Sequence, residues 1–133
     1  MKILIVEDDF VSRRILQKFL LPYGTSEIAI NGKEAIKAFS LAWQEKDPYE
    51  LICLDIMMPE MDGQQVLKEI RKIEEEYGVL GLDSVKIIMT TALGDNENIK
   101  TAFRQQCEAY LVKPIDKTML LNTLKELGLI DKI

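Results

Sequence analysis

The chain has 133 residues, a hydrophobic fraction of 47%, a charged fraction of 29%, a net charge of -5 and no histidine. That length suits one globular domain whose apolar core needs no disulfide or metal to hold it. The acidic balance argues against nucleic acid or an anionic membrane as the main partner. The missing histidine removes Ser-His-Asp and Cys-His catalysis and histidine-ligated zinc.

The first apolar run, Ile3 to Val6, predicts a buried strand and ends on Glu7-Asp8-Asp9. It is too short for the apolar region of a signal peptide. Phe10, Val11, Ile15, Leu16, Phe19 and Leu20 then recur at helical spacing, and Pro22 and Gly24 close that helix. Arg13, Arg14 and Lys18 make it the most basic stretch of the chain. Ser26 to Ile30 forms a second run, and Asn31 with Glu34 predicts a capped helix to about Trp43. The third run, Leu51 to Leu54, ends on Asp55 and is followed by Met57, Pro59 and Asp62-Gly63. Cys53 in that run reads as a small core residue; with Cys107 it forms no metal pattern. Val66, Leu67, Ile70 and Ile73 predict a third helix, and residues 74–84 its end plus a surface loop. Val85 to Met89 leads to Thr90-Thr91, and Ile99, Ala102 and Phe103 predict a fourth helix. Ala109 to Val112 leads to Lys113-Pro114, after which Asp116 caps a fifth helix bearing Met119, Leu120, Leu124 and Leu127. No run is long enough to span a bilayer, and a cytoplasmic, stand-alone domain over 1–133 without an output domain is expected.

Strict strand–helix alternation predicts an open parallel sheet with helices on both faces. The C-terminal ends of its strands share one edge, where the ligand crevice of such sheets opens. Four of the five runs end there in polar chemistry: several carboxylates, a hydroxyl and an ammonium. Each has an ordinary reading taken singly, Asp9 as a helix cap, Thr91 as a solvated strand end and Lys113 as a turn residue. Jointly they make an electrostatic kit for phosphoryl transfer. Crowded carboxylates repel one another, and oxygen donors without His or Cys select a hard divalent ion. That ion, a lysine and a hydroxyl can then hold a phosphoryl group beside a carboxylate nucleophile.

Glu7-Asp8-Asp9, Asp55 with Pro59 and Asp62-Gly63, Thr91-Ala92 and Lys113-Pro114 together resemble the response-regulator receiver domain of two-component signalling, the CheY-like family, from Met1 to about Leu127. The resemblance implies a flavodoxin-like, doubly wound five-stranded parallel sheet in the order 2-1-3-4-5 with five helices. It implies that Asp55 is the phosphoacceptor, and that Asp8, Asp9, Asp55 and the backbone carbonyl of Met57 hold Mg²⁺ or Mn²⁺. Thr91 would hydrogen-bond the phosphoryl group, Lys113 would pair with it through a cis Lys113–Pro114 bond, and Tyr110 would switch rotamer with phosphorylation. By the same resemblance Met57 and Leu93, both apolar here, would occupy the positions that help set the lifetime of the phosphorylated form in the family. The implied donor is a sensor histidine kinase or phosphotransfer protein. The implied output is an unknown downstream protein target, met through the face of the fourth helix, fifth strand and fifth helix, with no nucleic-acid contact and only slow self-dephosphorylation.

Two features depart from the family pattern. Gln106-Cys107 stands where the family commonly has a glycine with positive φ, so Gln106 is strained by about 1 kcal/mol or the helix ends differently. The loop before Val85 is longer than in the smallest members. A phosphatase of the haloacid-dehalogenase kind needs a second Asp two residues after the first, where this chain has Met57. A flavodoxin-like FMN binder would not place Glu7-Asp8-Asp9 in its phosphate loop. A degenerate, docking-only receiver would not need the whole set of acids, Thr91 and Lys113.

Overall fold

In the computed structural model, which describes residues 1–92 and 106–131, the apolar runs become five parallel strands. They are β1 (Lys2–Val6), β2 (Thr25–Ala29), β3 (Leu51–Asp55), β4 (Lys86–Thr91) and β5 (Ala109–Val112). Their order is β2-β1-β3-β4-β5, as the resemblance implies. The near-continuous apolarity of β1, β3 and β4 follows from burial on both faces. Leu4, Val6, Ile52 and Leu54 belong to one core with Phe39, Val66, Leu67 and Ile70. Ile3, Ile5, Leu51 and Cys53 belong to the other with Leu16, Leu20, Leu120 and Leu124. Cys53 and Cys107 are both free and buried, in different cores.

The described helices are α1 (Phe10–Leu20), α2 (Gly32–Gln44), α3 (Gly63–Glu76) and α4 (Lys117–Glu126). Each starts at a side-chain cap that the sequence announces. Asp9, Asn31, Asp62 and Asp116 accept backbone N–H groups of Ser12, Glu34, Gln65 and Thr118. Asp62 and Gln65 cap each other reciprocally. The segment predicted as the fifth helix is therefore α4. The helix predicted around Ile99, Ala102 and Phe103, and Leu93 with it, lies outside the described residues.

Two strand ends beside the acids differ from the sequence reading. β4 continues through Thr90 and Thr91, both buried, because the strand runs on to pair with β5 after its apolar run stops. β3 takes in Asp55 as its last residue, paired with Thr90. The family's glycine position is occupied by a left-handed Gln106 with φ 72°. Among the described residues no helix is long and apolar enough to cross a membrane.

Candidate functional site

The sheet carries its chemistry at the C-terminal edge. β1 delivers Glu7 and Asp8, and the Glu7 N–H still bonds Ala29 O at 3.1 Å, so the first acid is fixed by the ladder. Glu7 is 1% exposed and Asp55 3%. Asp8 is exposed. One oxygen from each of the three can lie within 4.8 Å of the others.

A close approach holds Asp55 in place. The Gly63 N–H donates to Ile56 O at 2.8 Å, and Ile56 N–H donates to Thr90 O at 3.0 Å. A β-carbon on Gly63 would sit 2.3 Å from Asp55 O and 2.8 Å from Ile56 Cα, inside any real contact. The Asp62-Gly63 pair therefore does two things: Asp62 starts α3, and Gly63 lets that start press against the strand end that presents the carboxylate.

β5 brings in the cation. The Lys113 N–H donates to Thr91 O at 2.7 Å, and the Lys113–Pro114 bond is cis. The ammonium turns into the acids, 2.6 Å from Glu7 Oε1 and 3.2 Å from Asp55 Oδ1. Met57 N–H donates to Asp55 Oδ1 at 3.3 Å. Thr91 is buried as the last residue of β4, one position beyond the residue that pairs with Asp55. Its hydroxyl donates to Ala92 O at 3.4 Å. Tyr110 lies in β5 with 40% of its surface exposed.

Burial pushes the Asp55 carboxyl up to about 7, helped by the hydrogen bond and charge of Glu7 and opposed by Lys113. Burial acts against the Lys113 charge, but Glu7 and Asp55 outweigh it and its pKa lies above the ordinary value. The site thus holds more negative charge than one ammonium neutralises. All donors are hard oxygens, so a small divalent cation such as Mg²⁺ or Mn²⁺ fits the set.

Asp9 stands apart from these acids. Asp9 was expected among the converging acids, but its extended backbone (φ -82°, ψ 121°) makes it the cap of α1. Its Oδ2 accepts the Ser12 N–H at 2.9 Å, which holds its carboxyl below the usual range. Glu7 converges with Asp8 and Asp55 in its stead. The signal was available: an acid directly before an apolar helical stripe is a cap, which leaves Glu7-Asp8 for the crevice.

Comparison with known proteins places the chain in one family. The family described as "Response regulator receiver domain" matches residues 3–125. The chain is 34% identical over 126 residues to the "Probable transcriptional regulator ycf29" of Porphyra purpurea, covering 94% of this chain and 55% of that protein. This chain therefore spans little more than half of that relative. The receiver domain of the Arabidopsis thaliana histidine kinase CKI1, complexed with Mg²⁺ and BeF3⁻, superposes with a TM-score of 0.77 at 28% identity, covering 96% of this chain and 89% of that one. A chain of the co-crystal of the Saccharomyces cerevisiae histidine phosphotransfer protein Ypd1 and the receiver domain of Ssk1 superposes with a TM-score of 0.82 at 28% identity, covering 100% and 92%.

Proposed function

From the premise that the chain belongs to the response regulator receiver domain family, we propose that it is a phosphorylation switch with Asp55 as acceptor. The observation that carries this reading is the convergence of Glu7, Asp8 and Asp55 within 4.8 Å, with the Lys113 ammonium 3.2 Å from Asp55. An Asp55 oxygen attacks the phosphorus of a phosphohistidine. The new O–P bond forms as the N–P bond breaks, and the departing imidazole nitrogen takes up a proton. Glu7, Asp8, Asp55 and the Met57 carbonyl would hold Mg²⁺ or Mn²⁺, with Asp9 left to its helix. The bound ion would supply the positive charge that neutralises the transferred phosphoryl oxygens. Lys113 pairs with a second phosphoryl oxygen and the Thr91 hydroxyl donates to a third. Tyr110 follows Thr91, and the face of β5 and its flanking helices carries the change to a protein target. Loss of the group by hydrolysis is slow, so the protein is a switch rather than a turnover enzyme.

A protein donor fits the surface beside the acids. Phe10, Val11 and Leu21 are exposed, and with Ile15, Arg14 and Lys18 they line an open groove along α1 that starts one residue after Asp9. In the family comparison a receiver domain was crystallised with a histidine phosphotransfer protein, and a donor of that kind or a sensor kinase is the proposed partner. The test is incubation with Mg²⁺ and acetyl phosphate followed by intact-mass measurement. One phosphoryl group is expected on the wild type and none on Asp55→Asn. Mass gain persisting in that variant would overturn the assignment.

A further inference from the structure

At the far end of the strands from the acids, a mostly buried arginine joins three segments. Arg71 of α3, its side chain 12% exposed, donates through Nε and Nη2 to Gln106 O at 3.1 and 2.7 Å. Nη2 also reaches both oxygens of Glu108 at 2.9 and 3.0 Å, and Nη1 reaches Glu74 Oε1 at 2.7 Å and Val85 O at 3.0 Å. The two carboxylates reach the start of β4: Glu74 accepts Val85 N–H, just before the strand, at 2.7 Å, and Glu108 accepts Ile87 N–H at 2.6 Å. The bonds converge just before β5, where Gln106 adopts φ 72°.

β5 needs such an anchor. It has four residues, lies at the edge of the sheet, and contains one buried residue, Leu111. Strand register is strongly specified where a face is buried and weakly specified otherwise, and a slip of one residue turns every side chain to the other face. Here a slip would carry Lys113, the residue after β5, away from Glu7 and Asp55. Glu108 adds a rung ahead of the first backbone pair, Ile88 with Ala109. Its side chain accepts from Ile87 N–H while its own N–H donates to Ile87 O at 3.0 Å. Arg71 fixes the carboxylate of that rung and holds the carbonyl of left-handed Gln106 with two of its donors.

We propose that Arg71, with Glu74 and Glu108, is a register pin for β5, and that Arg71 is thereby a positioning residue for Lys113 although it touches none of the acids. The consequence for phosphorylation rests on Asp55 being the acceptor; the strand register does not. The test uses the full chain with Arg71→Met and Glu108→Gln, and Arg71→Lys if the methionine variant fails to fold.

Amide hydrogen exchange at Leu111 and Lys113 is expected to quicken about tenfold or more, as local opening does, while Ile5 and Cys53 keep their wild-type rates. Labelling of Asp55 by acetyl phosphate is expected to fall about fivefold or more, because small misplacements are costly. Mg²⁺ affinity measured by calorimetry should not weaken, because the acids are untouched. Adding Gln106→Gly to Arg71→Met should restore part of the β5 protection. Wild-type exchange in β5, equal acceleration in all strands, or Mg²⁺ affinity falling along with labelling would each overturn the pin. If the wild type itself takes no phosphoryl group, the acceptor reading fails, and the exchange pattern still decides the pin.

Discussion

Asp55→Asn should stabilise the metal-free protein, and more so as pH rises. The carboxyl is 3% exposed, shares its space with buried Glu7, and among the described residues has Lys113 as its neighbouring cation. Its proton affinity rises from 3.8 to about 7. A carboxyl whose folded pKa lies above its unfolded value takes up a proton on folding. Its favourable contribution is therefore complete below pH 3.8 and is lost as pH rises through about 7. The whole shift corresponds to about 4 kcal/mol; because it is shared with Glu7 and Lys113, about 1–2 kcal/mol falls to this one substitution.

The assay is urea unfolding in chelator at several pH values between 5 and 8, for wild type and Asp55→Asn, repeated in millimolar Mg²⁺. Wild-type stability should fall across that window in chelator, whereas the asparagine variant should be flatter. Mg²⁺ should raise wild-type stability most at the alkaline end, where the acids are charged and the ion binds best. If the variant is no more stable than wild type at pH 8 in chelator, the three carboxylates do not repel one another as their placement implies.

Other consequences are smaller or more local. Gly63→Ala forces a β-carbon to within 2.3 Å of Asp55 O; it should cost about 1–3 kcal/mol in urea unfolding and slow acetyl phosphate labelling. Asp62→Ala removes the reciprocal cap of α3 and should cost about 1 kcal/mol by the same measurement, with labelling retained. Met57→Asn with Leu93→Glu should speed loss of the phosphoryl group after the donor is removed. Two polar side chains there could orient a water, and a tenfold change needs only about 1.4 kcal/mol of barrier; equal decay in wild type and double mutant would exclude control at these positions.

What could be read from the chain alone is what one segment states by itself. Ile3 to Val6 and Leu51 to Leu54 announce buried strands by unbroken apolarity, and Asn31 and Asp116 announce helix starts. The order of the strands is not a property of any segment, and alternation alone leaves it open; it came with the family resemblance. The exchange of Asp9 for Glu7 arose because three consecutive acids look alike in sequence. They part only when the chain turns into α1, and Asp9 must satisfy the Ser12 N–H.

Arg71 was harder still. Between Ile70 and Lys72 it reads as the solvated side of an amphipathic helix, Glu74 reads as part of an acidic helix end, and Glu108 as a loop acid. Nothing local distinguishes them from exposed charges. Only tertiary folding brings them together beside Val85 and Ile87. There the carboxylates take over strand N–H groups that would otherwise be buried without acceptors, a need invisible until the edge strand is placed. The missing glycine at Gln106 was the one trace of this cluster in the sequence. Gln106 takes positive φ without being glycine, and two donors of the Arg71 guanidinium hold the carbonyl of that residue.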